Sequence, residues 1–328
     1  MGNISNRIGS LFLFAMLCVG LAPASAEAQK VWKHGIINPK SDAGFVLMPS
    51  RGGFGDKFGL KLETVSIKDG NLAIKALIAG EVDSVESGAG ESMVAGVRGG
   101  DIKIVGCNWP GLPHGIFARA DIKSVQDLKG KKIAASAPGS LPDLLVRGLL
   151  ENAKIPVGDV SIASVGGDLD RYKAVVSGIV DAAVVSSEYL PTAPKSIHLL
   201  VAGRDVLPKF MRLCVVTTGK TIAERPDDTV KFLAAEISGL RYAVAHKDAT
   251  VKLTREATSS KADDPRPEFV FDETVKHHDL DPDLNLPLDK LAWMQDLFVK
   301  TGNIKQPIDL KKIVDQSVRE KALALIGK

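Results

Sequence analysis

Apolar residues in this chain come in short runs of strand length, separated by segments in which they recur at helical spacing. Strands are predicted over residues 30–38, 60–67, 83–87 and 102–107, and again over 131–135, 160–165, 197–201 and 213–217. Between them, helices are predicted from Ser41-Asp42, whose side chains suit the free amides of a first turn, from Asn71, and over 91–98 and 141–153. Beyond Asp227 the pattern turns helical, at 227–245 and at 288–300, where Leu291, Met294 and Phe298 share one face. Proline-rich loops at 264–267 and 281–282 separate these later helices. Strands alternating with helices predict α/β architecture, because parallel strands need crossover helices that cover both faces of the sheet.

The pattern repeats. Residues 174–182 (Ala-Val-Val-Ser-Gly-Ile-Val-Asp-Ala) restate residues 76–84 (Ala-Leu-Ile-Ala-Gly-Glu-Val-Asp-Ser) without a gap, at an offset of 174 − 76 = 98. The same frame lays 64–67 on 162–165, so each copy reads strand, helix, strand, with Gly closing the helix and Val-Asp opening the next strand. Two similar α/β lobes follow. The run Gly115-Ile116-Phe117-Ala118-Arg119 is expected to carry the chain into the second lobe and 213–217 to return it, giving a first lobe of 27–118 with 216–328 and a second of 119–215. The C-terminal helices are expected to brace the first lobe.

Composition sharpens this without redirecting it. With 328 residues, 45% apolar and 25% charged, the chain is long enough for two cores. Residues 1–26 read as a removable export signal, with Arg7 as the positive region, an apolar stretch over 8–21 and Ala24-Ser25-Ala26 at the cleavage site. Removing Arg7 leaves 42 − 1 = 41 basic against 39 acidic residues, a balance that creates no field for nucleic acid. Cys18 falls within that signal; the other two cysteines, Cys107 and Cys214, both sit in apolar runs and are expected to be buried free thiols, although an exported protein permits a bridge.

Ligands of open α/β sheets gather outside the carboxyl ends of the strands, where helix starts offer unpaired amides. The loop Ser136-Ala137-Pro138-Gly139-Ser140 fits best, since it follows a strand and precedes a helix whose dipole favours an anion. A small oxyanion is expected on Gly139, Ser140 and Leu141; the competing role for this stretch is a capping box between Ser140 and Asp143. Ser87, Gly88 and Ala89 hold the equivalent place in the first copy, and the 98-residue offset sets Ser186, Ser187 and Glu188 opposite them. Glu91 and Glu188 complement helix dipoles in one reading; if either faces the cleft, the ligand needs a cationic group as well. Trp109 and His114 flank a loop at a strand end, where the aromatic either stacks on a ligand or packs the loop. Adjacent His277 and His278 point different ways, and no spacing resembles a zinc site. Thr218-Gly219-Lys220-Thr221 mimics the end of a phosphate loop, but position 214 holds Cys where Gly is required. These loops contain no Arg, which argues against a dianionic phosphate and allows a sulfonate, a carboxylate or a neutral heterocycle.

The stretch Asp127-Leu128-Lys129-Gly130-Lys131-Lys132-Ile133, leading to Ser136-Ala137-Pro138-Gly139-Ser140 and joined to both Gly-x-Val-Asp strand starts, resembles the nitrate/taurine/aliphatic-sulfonate class of periplasmic substrate-binding proteins of ATP-binding-cassette importers. That resemblance implies a type II periplasmic-binding-protein fold, with two open mixed sheets joined by a two-strand hinge that closes like a flytrap. It places Ser41, Asp42, Ser87, Gly88, Ala89, Trp109, residues 136–140, Ser186, Ser187 and Glu188 in the cleft. It also implies a periplasmic monomer with a small-molecule ligand, a membrane permease and its cytoplasmic ATPase as partners, and no cofactor, metal or catalytic residue. The same fold carries enzymes of desulfinase, decarboxylase or pyrimidine-precursor synthase type. The sulfinate and pyrimidine-precursor relatives rely on a cysteine in the first strand-to-helix loop or on a cysteine-rich cluster, whereas that loop here reads Pro39-Lys40-Ser41-Asp42.

Overall fold

A computed structural model describes residues 30–327 and Gly2, so the expected export signal lies outside the described residues apart from Gly2. The chain first lays down β1 (Lys30–Ile37), α1 (Ala43–Arg51), β2 (Leu60–Ile67), α2 (Gly70–Ile78), β3 (Ser84–Ser87), α3 (Ala89–Val97) and β4 (Lys103–Trp109). It then crosses to a second sheet with β5 (His114–Arg119), β6 (Lys132–Ala135), α4 (Leu141–Asn152), β7 (Ser161–Ser164), α5 (Asp168–Val176), β8 (Ala182–Ser186), β9 (Ile197–Ala202) and α6 (Gly203–Val206). Finally β10 (Leu213–Thr217) returns to the first sheet, followed by α7 (Gly219–Glu224), α8 (Pro226–Ala245), α9 (Lys247–Thr258), α10 (Arg266–His277), α11 (Leu288–Lys300) and α12 (Gln316–Ile326).

The two sheets have the same plan. Their strand orders are β2-β1-β3-β10-β4 and β7-β6-β8-β5-β9, and in each the first three strands are parallel while the fourth runs against them. That reversed strand is in both cases the one that has just crossed from the other sheet. The crossings therefore occupy residues 110–113 and 207–212, a few residues earlier than the apolar runs alone placed them. The reason is physical: Gly115 to Ala118 and Leu213 to Val216 are buried on both faces as inner strands, so neither run serves as a connection.

The repeated motif builds the same joint twice. Gly80 and Gly178 both sit at φ +74°, where a Cβ would strain the backbone, and each turns its helix into the following strand. Asp83 then accepts the amide of Lys33 at 2.7 Å and an Arg225 nitrogen at 2.7 Å. Asp181 likewise accepts the amide of Lys132 at 2.8 Å and lies 3.6 Å from Arg119.

One apolar cluster runs from α2, α3 and β4 through β5, β6 and α4, so it is shared by both sheets. The outer face of the first sheet is covered by α1 together with α8, α9, α10 and α12, with Trp32 stacked on Phe232 at 4.9 Å. The late helices thus brace the first sheet as expected. A smaller cluster under α5 covers the outer face of the second. Cys107 and Cys214 are bonded to each other, with Cα atoms 3.8 Å apart, which corrects the expectation of two free thiols. The apolar contexts were read rightly as strands, but strands 107 residues apart in sequence become antiparallel neighbours, and that pairing decides the chemistry.

Candidate functional site

The carboxyl ends of β1 and β3 face that of β6 and the start of β5 across a cavity of about 420 Å³. From the first half it is lined by Asn38, Lys40, Asp42, Asn71, Glu86, Gly88 and Glu91, and from the second by His114, Ala137, Pro138, Gly139, Ser140 and Leu141. Val46, Val94, Phe210, Met211, Leu213 and Phe298 give it an apolar wall. A cavity of this size and mixed character suits one small organic molecule.

The loop at Ser136 enters this cavity, but not as the sequence pattern implied. Gly139 lies at φ +77°, and its amide is already bonded to the Asp143 carboxylate at 2.9 Å. The Ser140 amide is bonded to the Ala137 carbonyl at 3.0 Å. Two of the three amides expected to hold an oxyanion are therefore taken. The capping box does not form either, because Ser140 makes no side-chain cap bond and its buried Oγ has no partner. Asp143 instead satisfies the loop and an Arg147 nitrogen at 2.9 Å. Ser136 lies outside the cavity lining, its hydroxyl donating to the Gly166 carbonyl at 2.8 Å and accepting from Arg171.

On the opposite wall, Asp42 starts α1 without capping it and pairs with Arg212 at 2.8 Å. Burial works against this carboxylate, but Arg212 and Lys40 outweigh burial and hold its pKa below the ordinary 3.8. The Arg212 guanidinium also covers the Trp109 ring at 4.8 Å, while Phe45 meets the ring edge-on at 5.9 Å. Trp109 thus packs the loop, and that face is not free to stack on a ligand. Glu91 both lines the cavity and folds back on its own helix start, bonding its own amide and standing where a Cβ on Gly88 would lie. Burial raises its pKa, opposed by the bond to its own amide. Ser87 and Ala89 are fully buried behind this wall, with the Ser87 hydroxyl 3.4 Å from the Gly70 carbonyl.

Ser186, Ser187 and Glu188 lie outside the main cavity, around a pocket of about 20 Å³ with Trp109, Asp42 and Lys40. They join the two halves. The Ser41 amide donates to Glu188 at 3.3 Å, and Lys40 reaches Asp168 at 3.2 Å. Asp168 also binds Arg171 at 2.8 Å and accepts the Ser186 amide. Burial raises the pKa of Glu188, opposed by Lys40 and the Ser41 bond.

Three residues escaped the sequence reading. Arg212 and Arg98 place guanidinium groups in the lining, which corrects the statement that the site lacks arginine. Glu86 is buried in the same wall with the Asn108 amide bonded to its Oε1. A charged or amide residue inside a short strand, Glu86 between Val85 and Ser87 or Asn108 between Cys107 and Trp109, was the available signal. His114, noticed for its loop position, is a lining residue of the cavity, and its buried Nδ1 has no partner. Burial, with help from nearby Arg212, Lys40 and Arg171, drives its pKa down to about 3 against the pull of Asp168, so the ring is neutral.

A family model described as NMT1/THI5 like matches residues 41–250, which include both copies of the repeat and most of the cavity wall. The chain belongs to the NMT1/THI5-like family. The chain is similar to a Brucella abortus protein provisionally named as a binding protein, 25% identical over 310 residues that cover 92% of this chain and 95% of the relative. The fold of the family member described here is similar to that of the periplasmic aliphatic sulphonate binding protein SsuA from Escherichia coli, with a TM-score of 0.72 at 19% identity over 89% of this chain and 99% of the other. It is likewise similar to the periplasmic nitrate-binding protein NrtA from Synechocystis PCC 6803, with a TM-score of 0.72 at 13% identity over 92% and 90% of the two chains. A DszB variant in complex with biphenyl-2-sulfinic acid shares the fold at a TM-score of 0.67 and 17% identity, over 90% and 99%. These likenesses establish the two-sheet binding-protein fold. Among the described residues, no helix is long and apolar enough to cross a membrane.

Proposed function

We propose that this chain is an exported solute-binding protein that captures a small organic anion between its two sheets and hands it to an ATP-driven membrane permease. The observation that carries the reading is the cavity between facing strand ends, lined from both halves, with two polar atoms of its lining residues, Ser140 Oγ and His114 Nδ1, buried and without a partner. Arg98, exposed on the lining and in no ion pair among the described residues, adds positive charge for an anion, and the phenylalanine and methionine wall suits a carbon body. The relatives named for sulfonate and nitrate point the same way. Thiol chemistry on this fold has no support here, because the two cysteines of the described chain are bonded to each other and buried.

Binding from both halves makes ligand contact a differential stabilisation of the closed form. The test is a thermal-shift screen over alkanesulfonates, aliphatic and aromatic carboxylates, nitrate and pyrimidines, followed by X-ray scattering with any hit. An anion at ~100 times its dissociation constant adds about 2.7 kcal/mol of stability and lowers the radius of gyration. A chain stabilised only by cations, or one that converts a hit to product, overturns the reading.

A further inference from the structure

Glu86 sits on β3 in the wall of the main cavity, 3% exposed, and forms no ion pair among the described residues. Asn108 of β4 donates to its Oε1, and its second oxygen has no hydrogen bond within the described protein. The nearest guanidinium in its field, Arg212, is committed to Asp42. Behind it, α8 presents a second buried acid, Glu236. The remaining charged and titratable groups around it are His34 of the adjacent β1, held neutral by burial, and Lys40, Glu91, Arg98 and His114 of the cavity. An anion entering this space meets a carboxyl with no cation to cancel it, and an ionised Glu86 would repel that anion in a medium of low dielectric.

We propose that Glu86 selects the ligand by binding it in the protonated form, donating its O–H to an oxygen of the captured anion. This rests on the reading of the ligand as an organic anion. It deepens that reading, because it makes capture an uptake of one proton and excludes ammonium ligands that need a carboxylate at this wall. The surroundings favour it: burial pushes the Glu86 carboxyl up to about 7, with Asp42 adding to the push while Asn108 and Arg212 oppose it. Burial and Glu86 itself push Glu236 well above the carboxylate range, so the pair retains protons near neutrality.

The experiment is calorimetry on the mature chain with butanesulfonate and with benzoate, which stay ionised from pH 6 to 8.5. Affinity of the wild type falls at least tenfold between pH 6.5 and 8.5, and at pH 8.5 binding heats in buffers of different ionisation enthalpy report uptake of close to one proton. Glu86→Gln keeps a donor at every pH, so it lowers affinity at pH 6.5 several-fold yet removes the decline. Anion binding without proton uptake, or a decline that survives in Glu86→Gln, overturns the proposal while leaving the anion reading intact. If butylammonium binds, tightens as pH rises, and neither anion binds at any pH, both the proposal and the anion reading fall. The uptake measurement needs only wild-type protein, so it decides even if the variant does not fold.

Discussion

Gly139 is the residue at which geometry and binding are least separable. A Cβ there would collide with Asn303 Oδ1, and the backbone is in the left-handed region. Gly139→Asp therefore adds strain of about 1–3 kcal/mol and places a carboxylate at the cavity wall. Denaturant melts and calorimetry with an anion hit will show both the lost stability and an affinity loss of at least thirtyfold. Ser140→Ala behaves differently, since its hydroxyl caps nothing: stability changes by less than ~0.5 kcal/mol, whereas affinity drops several-fold. His34 supplies a pH signature of folding. Its pKa, lowered to about 3 by burial against the bond from Ser84, lies below the unfolded 6.5, so the unfolded chain gains the proton first. The stability this neutral ring confers is present above pH 6.5 and lost as pH falls below it, by about 2 kcal/mol at pH 5. Urea midpoints of wild type and His34→Gln should converge across that window. At this scale the sequence pointed to Gly139 and Ser140, because strand, glycine and helix start are neighbours in the chain. Arg212 and Glu86 were hidden, since their meaning comes from Asp42, Asn108 and Glu236, residues brought to them only by the sheet.

Among elements, the joint formed by Gly-x-Val-Asp is the best-read part of the molecule. Everything it needs lies within one helix-to-strand turn, apart from the neighbouring strand that supplies the amides of Lys33 or Lys132. Asp83→Ala should cost about 1–3 kcal/mol in urea denaturation, because it leaves the Lys33 amide without its acceptor and takes one bond from Arg225, which keeps Asp228 and the Val31 carbonyl. Asp181→Ala should cost less, since Arg119 stands farther away at 3.6 Å than Arg225 does from Asp83 at 2.7 Å. Strand order was less legible. The placement of β5 and β10 in inner positions of opposite sheets depends on contacts across the whole chain, which periodicity does not carry. The disulfide belongs to this class. Thiol labelling of the denatured, unreduced mature chain should find no free thiol, and replacing both cysteines by Ala should lower stability by about 2–4 kcal/mol.

For the whole molecule, the halves are held together by the shared apolar cluster and by two further kinds of link. Polar contacts span the cleft, Lys40 to Asp168 and the Ser41 amide to Glu188. The backbone crosses twice, at 110–113 and 207–212. Cys107 lies just before the first crossing and Cys214 just after the second. The bond between them therefore closes the entire second sheet into a covalent ring, bypassed by any tension that enters through the chain ends. Pulled in optical tweezers, the oxidised protein should release only the first sheet and its bracing helices. Its contour should stay short by on the order of 380 Å, the reach of the 107 residues spanned, until a reductant lets the ring open. A machine that grips this protein by one end and threads it would stall at the same place, carrying a loop it cannot straighten.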